Sequence, residues 1–513
     1  MANIAIIKLF YGMSITGAQL AGELLKFGHS PRVIFFKKQE VVKLEDCSDA
    51  AYQLGDVPMR NHFIGNEDDY VVETSIWKKT RPQELQHLVT CLKEFSPDAI
   101  GISTLSLGMT LAAEVTEHLR QHFDVPVLWG GTGPTLEPDR SIQHADLVCV
   151  GEGEGVLVDI ARRLDEGQSL DGIAGTWFRQ RDGSTQKNPK REVSDLEQIA
   201  VPCWEDQYFY YINGPRFERM LRPDAHSIDK SYQIMTQRGC PFSCSFCVES
   251  FYQNEFGKKN SLRRMSPEKA IRELKYARDT LGYKTVTFMD DVFTVNPRWL
   301  GIFLEHYKRE IDLPFFCYTY PTTHNPQVLA MLEKAGCHGI TMGVQSGSQE
   351  ILTRIYERPT KLGRVVEAAR EIEASGIPAA TFDMIPYTAF DKEDDLRETL
   401  EILLEIPKSI DTTFYGQMAY FPNYPIQDKF QDAELLARSE HLDDKTYAYY
   451  FKLFDLTRTD MPVEKIREIA ADPKYRANHK LLNPFINAGS RLKPSYGTLT
   501  ELGVARRKAA LCQ

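Results

Sequence analysis

Arg238–Cys247 reads RGCPFSCSFC and carries three cysteines, Cys240, Cys244 and Cys247, spaced Cys-x3-Cys-x2-Cys. A strand-like run, YQIMTQ, precedes them, and Gly239-Cys240-Pro241 opens a loop. The spacing is too short for a helix to present all three thiolates to one centre, whereas a loop wrapped around a metal can do so. Thiolates are the ligands of iron–sulfur clusters. A four-iron cluster held by three cysteines leaves one iron without a protein ligand, and a catalytic metal needs such an open position. The rival readings are a zinc site completed by a distant histidine, such as His226 or His338, and chance clustering.

Downstream, the runs TVTFMDD, FFCYTY, GITMGVQSG, AATFDMI and TTFYGQMAYF alternate with helix-period segments, the pattern of a partial βα barrel. Barrels of this type place their chemistry at the carboxyl ends of the strands. There the sequence offers Asp290, Asp291, Tyr320, Gln345, Ser346, Asp383 and Tyr387. Neighbouring residues on a strand point to opposite faces, so only one of Asp290 and Asp291 is expected to face the barrel interior. Cys317, near a strand end, is a candidate for hydrogen-atom donation; the bland reading is a small buried hydrophobe.

Upstream, NIAIIKL, RVIFF, DAIGIST, PVLWGG and ADLVCVGEGEG alternate with helical segments of 10–15 residues, which predicts a doubly wound parallel sheet. Such sheets bind ligands beyond the carboxyl ends of their strands, near the topological switch point. The loops there are Ser103-Thr104-Leu105, Gly130-Gly131-Thr132-Gly133 and Gly151-Glu152-Gly153-Glu154. Glycine lets a backbone approach a large flat or phosphorylated ligand, although tight strand-to-helix turns use it too.

The three loops together resemble the cobalamin-binding domain found at the N-terminus of many radical S-adenosylmethionine (SAM) proteins. The cysteine triplet, with Phe246 before its last member, resembles the radical SAM signature. The combined resemblance is to cobalamin-dependent radical SAM enzymes of the methyltransferase-like class B. It implies an α/β chain with a Rossmann-like, flavodoxin-type cobalamin domain over residues 1–165. A linker with a hairpin over 166–230, a partial (β/α)6 barrel over 231–425 and a mixed helical region over 426–513 follow. It further implies a [4Fe-4S] cluster on Cys240, Cys244 and Cys247, and SAM bound near Phe246, Asp290, Asp291, Gln345, Ser346 and Asp383. Cobalamin would lie against Ser103, Thr104, Leu105, Gly130, Gly131, Gly133, Gly151, Glu152 and Gly153. The implied reaction is methyl transfer to an unactivated carbon of a small molecule, with electrons from a donor such as flavodoxin or ferredoxin. Two departures stand out. The loop KLFYGMSITGAQ has no histidine to ligate cobalt, so cobalamin is bound without one or not bound. Gln345 stands where many relatives carry glutamate. A radical SAM cyclase, coupling enzyme or rearrangement catalyst is the alternative, and a zinc-stabilised binding protein the distant one.

The whole chain fits this outline. At 513 residues it has length for roughly three domains. Its net charge of −10 argues against broad contact with nucleic acid. No apolar run approaches the ~18 residues of a membrane span, and MANIAIIKLF reads as a first strand rather than a signal peptide. Seven of the ten cysteines are scattered singly, as reduced thiols in a cytoplasmic protein would be.

Overall fold

The first strand, β1 (Asn3–Tyr11), is apolar at most positions, as a strand covered on both faces must be. Its side chains divide with the two-residue period. Ile4 and Ile6 enter one apolar core, and Ala5, Ile7 and Leu9 enter another. The computed structural model describes residues 1–11, 15–38, 40–43, 52–54, 60–64, 70–219, 231–414 and 416–488. In it β1 pairs in parallel with β2 (Ser30–Lys38). The polar insertion that follows forms a separate antiparallel sheet: β3 (Glu40–Lys43), β4 (Tyr52–Leu54) and β5 (Arg60–Ile64) all pair with β6 (Tyr70–Lys78).

The main sheet resumes with β7 (Ala99–Ser103), β8 (Val127–Gly130) and β9 (Leu147–Cys149), which run parallel to one another and to β1. Its core runs β9-β8-β7-β1-β2, the flavodoxin-type order, with the switch point between β1 and β7. The helices Thr16–Lys26 and Glu154–Asp165 cover one face, and Pro82–Phe95 and Met109–Arg120 cover the other.

Within 166–230, expected as a connector, the described residues up to 219 extend this sheet at both edges. The hairpin of β10 (Thr176–Arg179) and β11 (Thr185–Lys187), turning at Asp182-Gly183, adds antiparallel to β9. β12 (Phe209–Asn213) lies parallel to β2 and carries β13 (Arg216–Arg219) on its outer side. Between the two pairs, residues 194–204 form a strap. Ala200 donates its N–H to Glu23 Oε2 at 2.6 Å, and Gln19 Nε2 donates back to the Ala200 carbonyl at 2.8 Å. The buried Lys269 donates to the carbonyls of Leu196 and Ile199 from the other side. The strap thereby joins a helix of the first sheet to the helix Pro267–Lys275 of the second.

The second sheet begins with β14 (Tyr232–Ile234). A two-stranded ribbon of β15 (Gln237–Arg238) and β16 (Arg263–Arg264) then sets Arg238 opposite Arg263. β17 (Val286–Phe288), β18 (Phe315–Thr319), β19 (Cys337–Gln345), β20 (Ala379–Met384) and β21 (Asp411–Phe414) follow β14 in chain order, every pair parallel. Six parallel strands with helical crossovers make an open partial barrel. The aromatic run Thr446–Phe454 lies in the helix Asp444–Leu456, which is buried on all sides. Tyr447 stacks on Tyr387 with ring centroids 3.5 Å apart and donates its hydroxyl to Asp391 at 2.9 Å. This helix packs the barrel rather than lining a cavity. No helix among the described residues is long and apolar enough to cross a membrane.

Candidate active site

Two cavities open where the two sheets meet. The first, a slot of about 250 Å³, lies at the carboxyl ends of β1, β7, β8 and β9. Its walls are largely apolar, with Ile6, Leu20, Leu128 and Leu157 among them, and Ser103 supplies a hydroxyl. The second, a chamber of about 260 Å³, is bounded by Glu249, Tyr252, Phe256, Arg263 and Asp291. Gly151, Glu152, Met235 and Arg238 belong to both, so the cavities adjoin.

The glycines behave in two ways. A Cβ on Gly131, whose φ is +104°, would lie 2.5 Å from the Thr104 carbonyl oxygen, and one on Gly133 would lie 2.6 Å from the Leu105 carbonyl carbon. These two glycines let one strand-end loop nest on another. A Cβ on Gly151 would meet the Phe256 ring at 2.8 Å. Gly130 and Gly153 have no atom nearer than 3.5 Å and simply leave the slot open. Of Ser103-Thr104-Leu105, Ser103 lines the slot, Thr104 is fully buried with its hydroxyl on the Leu105 carbonyl, and Leu105 is exposed. The loop without a histidine falls partly outside the described residues, at 12–14. One step beyond Ile6 on the same face of β1, Lys8 is buried. Its ammonium donates to Ser103 Oγ at 3.4 Å, and burial pushes its pKa down to about 8.

Glu152, expected to contact a ligand, is an anchor between the two sheets. It accepts from Arg238 Nη1 at 2.9 Å, Arg263 Nη2 at 2.5 Å and the Ser194 N–H at 2.8 Å, and Arg238 also reaches Glu154. Burial alone would raise the Glu152 carboxyl, but the two guanidiniums outweigh it and bring it down to about 2.

The cysteine loop is fixed from both sides. Gln253 donates to the carbonyls of Cys240 and Phe242 at 2.6 and 2.8 Å, and Ser250 to that of Cys244 at 2.6 Å. Ser245 donates its N–H to the Tyr356 carbonyl at 2.9 Å. Burial raises the thiols of Cys240, to about 12, and of Cys247, with Asp291 adding to both. Neutral thiols in such a pocket become thiolates only beside a cation, so the donor set fits a metal centre. Among the described residues no three His, Cys, Asp or Glu side chains converge on a single metal ion. His338 is buried within β19, and His226 lies outside the described residues.

The aspartates separate as strand geometry requires. Asp290 is fully buried, accepts from the Thr236 hydroxyl and from the Gln237 N–H at 2.9 Å, and lies 3.8 Å from Arg264. It braces the strand end and lines neither cavity. Asp291 and Glu249 both open on the chamber; desolvation raises both carboxyls, the charge of Asp291 adding to Glu249 and that of Asp290 adding to Asp291. Gln345 ends β19 with φ +77°, and its side-chain oxygen is buried with no donor among the described residues. An unsatisfied acceptor of this kind fits a ligand bearing amino or hydroxyl groups. The Ser346 hydroxyl accepts from the Ser348 N–H at 3.1 Å, and Asp383 lies near the end of β20. Phe246 packs edge-on to Tyr356 at 4.8 Å. Cys317 is fully buried and lines neither cavity, which fits the reading of a small buried hydrophobe. Sequence reasoning missed Lys8, Arg238, Arg263 and Glu249. Arg238 and Glu249 flank the cysteine motif closely enough to have been suspected.

Residues 234–403 match the radical SAM superfamily model, and residues 71–161 match the B12 binding domain model. The chain thus carries a radical SAM domain and a B12-binding domain. An uncharacterized methyltransferase of Pyrococcus horikoshii is 27% identical over 343 residues, covering 65% of this chain and 69% of that protein. Among solved structures, the radical SAM methyltransferase TsrM of Kitasatospora setae aligns with TM-score 0.62 at 16% identity, covering 84% of this chain and 76% of that one. The cobalamin-dependent radical enzyme OxsB aligns with TM-score 0.64 at 16% identity, covering 99% and 75%. At such identities the structural matches show a shared fold. The cofactors of this enzyme are a [4Fe-4S] cluster, SAM and cobalamin, and the apolar slot, the thiols and the orphaned Gln345 oxygen fit that set.

Proposed function

We propose that the protein transfers a methyl group to an unactivated carbon of a small-molecule substrate held in the chamber. Cys240, Cys244 and Cys247 would hold the cluster. Asp291, Gln345, Ser346, Asp383 and Phe246 would surround SAM. Ser103, Gly130 and Gly153 would seat cobalamin, while Gly131 and Gly133 shape its loops. When bound, the cluster and SAM supply the radical and cobalamin carries the methyl group. The chain's own residues orient these groups, and Tyr252 and Phe256 help to wall the chamber from water.

One observation carries this reading. The slot and the chamber share Gly151, Glu152, Met235 and Arg238, so ligands in the two would face each other across a single gap. Electrons would come from an external donor such as flavodoxin or ferredoxin. The single scattering of most cysteines along the sequence and its acidic balance favour a cytoplasmic enzyme without a nucleic-acid partner.

The test is product analysis under anaerobic reduction with SAM. The reconstituted protein is expected to release 5′-deoxyadenosine, and the cobalamin-loaded protein to form S-adenosylhomocysteine as well. 5′-Deoxyadenosine alone would replace methyl transfer with a radical cyclisation, coupling or rearrangement. Undiminished 5′-deoxyadenosine release by Cys240→Ala would sink the assignment of the cluster to these cysteines.

A further inference from the structure

We infer that Arg358 is the counter-ion of the iron–sulfur cluster and sets its reduction potential. The inference rests on the assignment of the cluster to Cys240, Cys244 and Cys247. Arg358 is only 6% exposed. Its Nη1 donates to Cys244 Sγ at 3.6 Å, within reach for a sulfur acceptor, and its Nη2 donates to the Gly343 carbonyl. The guanidinium lies 4.1 Å from the centre of the Tyr320 ring. Tyr320 in turn stacks on Phe242, inside the cysteine loop, with centroids 3.7 Å apart, and its hydroxyl accepts from Thr360 at 2.6 Å. Arg358 is thus held against the loop that presents the cysteines.

Among the described residues no carboxylate pairs with it, and its Nε is buried without an acceptor. The buried Arg438 pairs instead with Asp395 at 2.6 Å and the half-buried Arg238 with Glu152 at 2.9 Å, while the buried Arg458 donates to the backbone carbonyls of Pro407 and Ile410 at 3.1 and 3.0 Å. A guanidinium out of water without an anion is strongly unfavourable. The group beside Arg358 that can supply the anion is Cys244, and only as a thiolate. A cluster on three thiolates carries net negative charge and gains one more unit on reduction. A fixed cation that donates to a ligand sulfur therefore favours the reduced form, because charge and hydrogen bonds at the sulfurs set such potentials. A purely structural bracket would hold the loop equally well and leave the potential unmoved.

The experiment is a potentiometric titration of the reconstituted protein without SAM or cobalamin, read by the electron paramagnetic resonance of the reduced cluster. Wild type is compared with Arg358→Lys, which keeps the charge, and with Arg358→Gln and Arg358→Met, which remove it. The charge-free variants are expected to shift the reduction equilibrium at least tenfold towards the oxidised form, about 59 mV for one electron. Arg358→Lys should recover most of that shift. Loss of the cluster from the charge-free variants while Arg358→Lys retains it would also support the counter-ion role. Equal potentials in cluster-loaded wild type, Arg358→Lys and Arg358→Gln would overturn it. No cluster in the wild type would instead overturn the cysteine assignment.

Discussion

Glu152 joins the glycine loop of the first sheet to the ribbon of the second, and its removal gives a measurable loss. Its carboxyl is lowered from 4.5 to about 2, and at about 1.36 kcal/mol per pKa unit the folded protein favours the charged form by roughly 3 kcal/mol. Breaking a buried ion pair from one side costs about 3–5 kcal/mol, and the side chain here is 21% exposed, so the lower end applies. Glu152→Gln should therefore destabilise the protein by about 2–3 kcal/mol. The assay is urea unfolding of the cluster-free protein, with Arg263→Met and the double variant completing a thermodynamic cycle. A coupling of at least about 1 kcal/mol between Glu152 and Arg263 is expected. The carboxyl is held below its unfolded value, so its contribution is complete above pH 4.5 and fades as pH falls towards 2. The gap between wild type and Glu152→Gln should narrow over that window. Additive single effects, with coupling below about 0.5 kcal/mol, would refute the clamp.

Three further outcomes follow from the same geometry. Lys8→Met should stabilise the cluster-free protein near neutral pH by up to roughly 3 kcal/mol; folding lowers the lysine pKa from 10.5 to about 8, so wild-type stability rises across that interval and the advantage disappears above it. A constant advantage at all pH values, read from urea midpoints, would contradict this. Asp290→Asn should lower stability by about 1–3 kcal/mol because it unbalances a buried, fully bonded carboxylate, while Asp291→Asn should leave the urea midpoint unchanged and weaken SAM binding by calorimetry. Gly131→Ala should lower the melting temperature, because its Cβ meets backbone at 2.5 Å, whereas Gly130→Val should spare the fold and reduce cobalamin retention.

Much of this was legible in the sequence because its signals are local. Apolar runs such as NIAIIKL and DAIGIST mark doubly covered strands, and Cys-x3-Cys-x2-Cys specifies a loop around a metal. The hairpin at Asp182-Gly183 was legible, but its place at the sheet edge was not, nor was the parallel pairing of β12 with β2, made far earlier in the chain, which no short-range pattern announces. Nor did the sequence reveal what the glycines face, since Gly131 and Gly130 are adjacent yet one meets backbone and the other a cavity. Strand alternation foresaw that one aspartate of the pair would turn inwards, but choosing between them needed the position of Thr236 and Gln237. Arg263 and Arg358 lie far from their partners Glu152 and Cys244 in the chain, and only the fold brings each pair together.

The central claim is that the slot beside the chamber of Glu249 and Asp291 holds cobalamin. The direct measurement is corrinoid content: the protein is purified anaerobically, its cluster reconstituted, offered hydroxocobalamin and desalted before its absorption spectrum is recorded. Near-stoichiometric corrinoid in wild type, and its loss from Gly130→Val with the cluster absorbance intact, is the predicted result. A wild-type protein that keeps its iron–sulfur absorbance and retains no corrinoid would contradict the account.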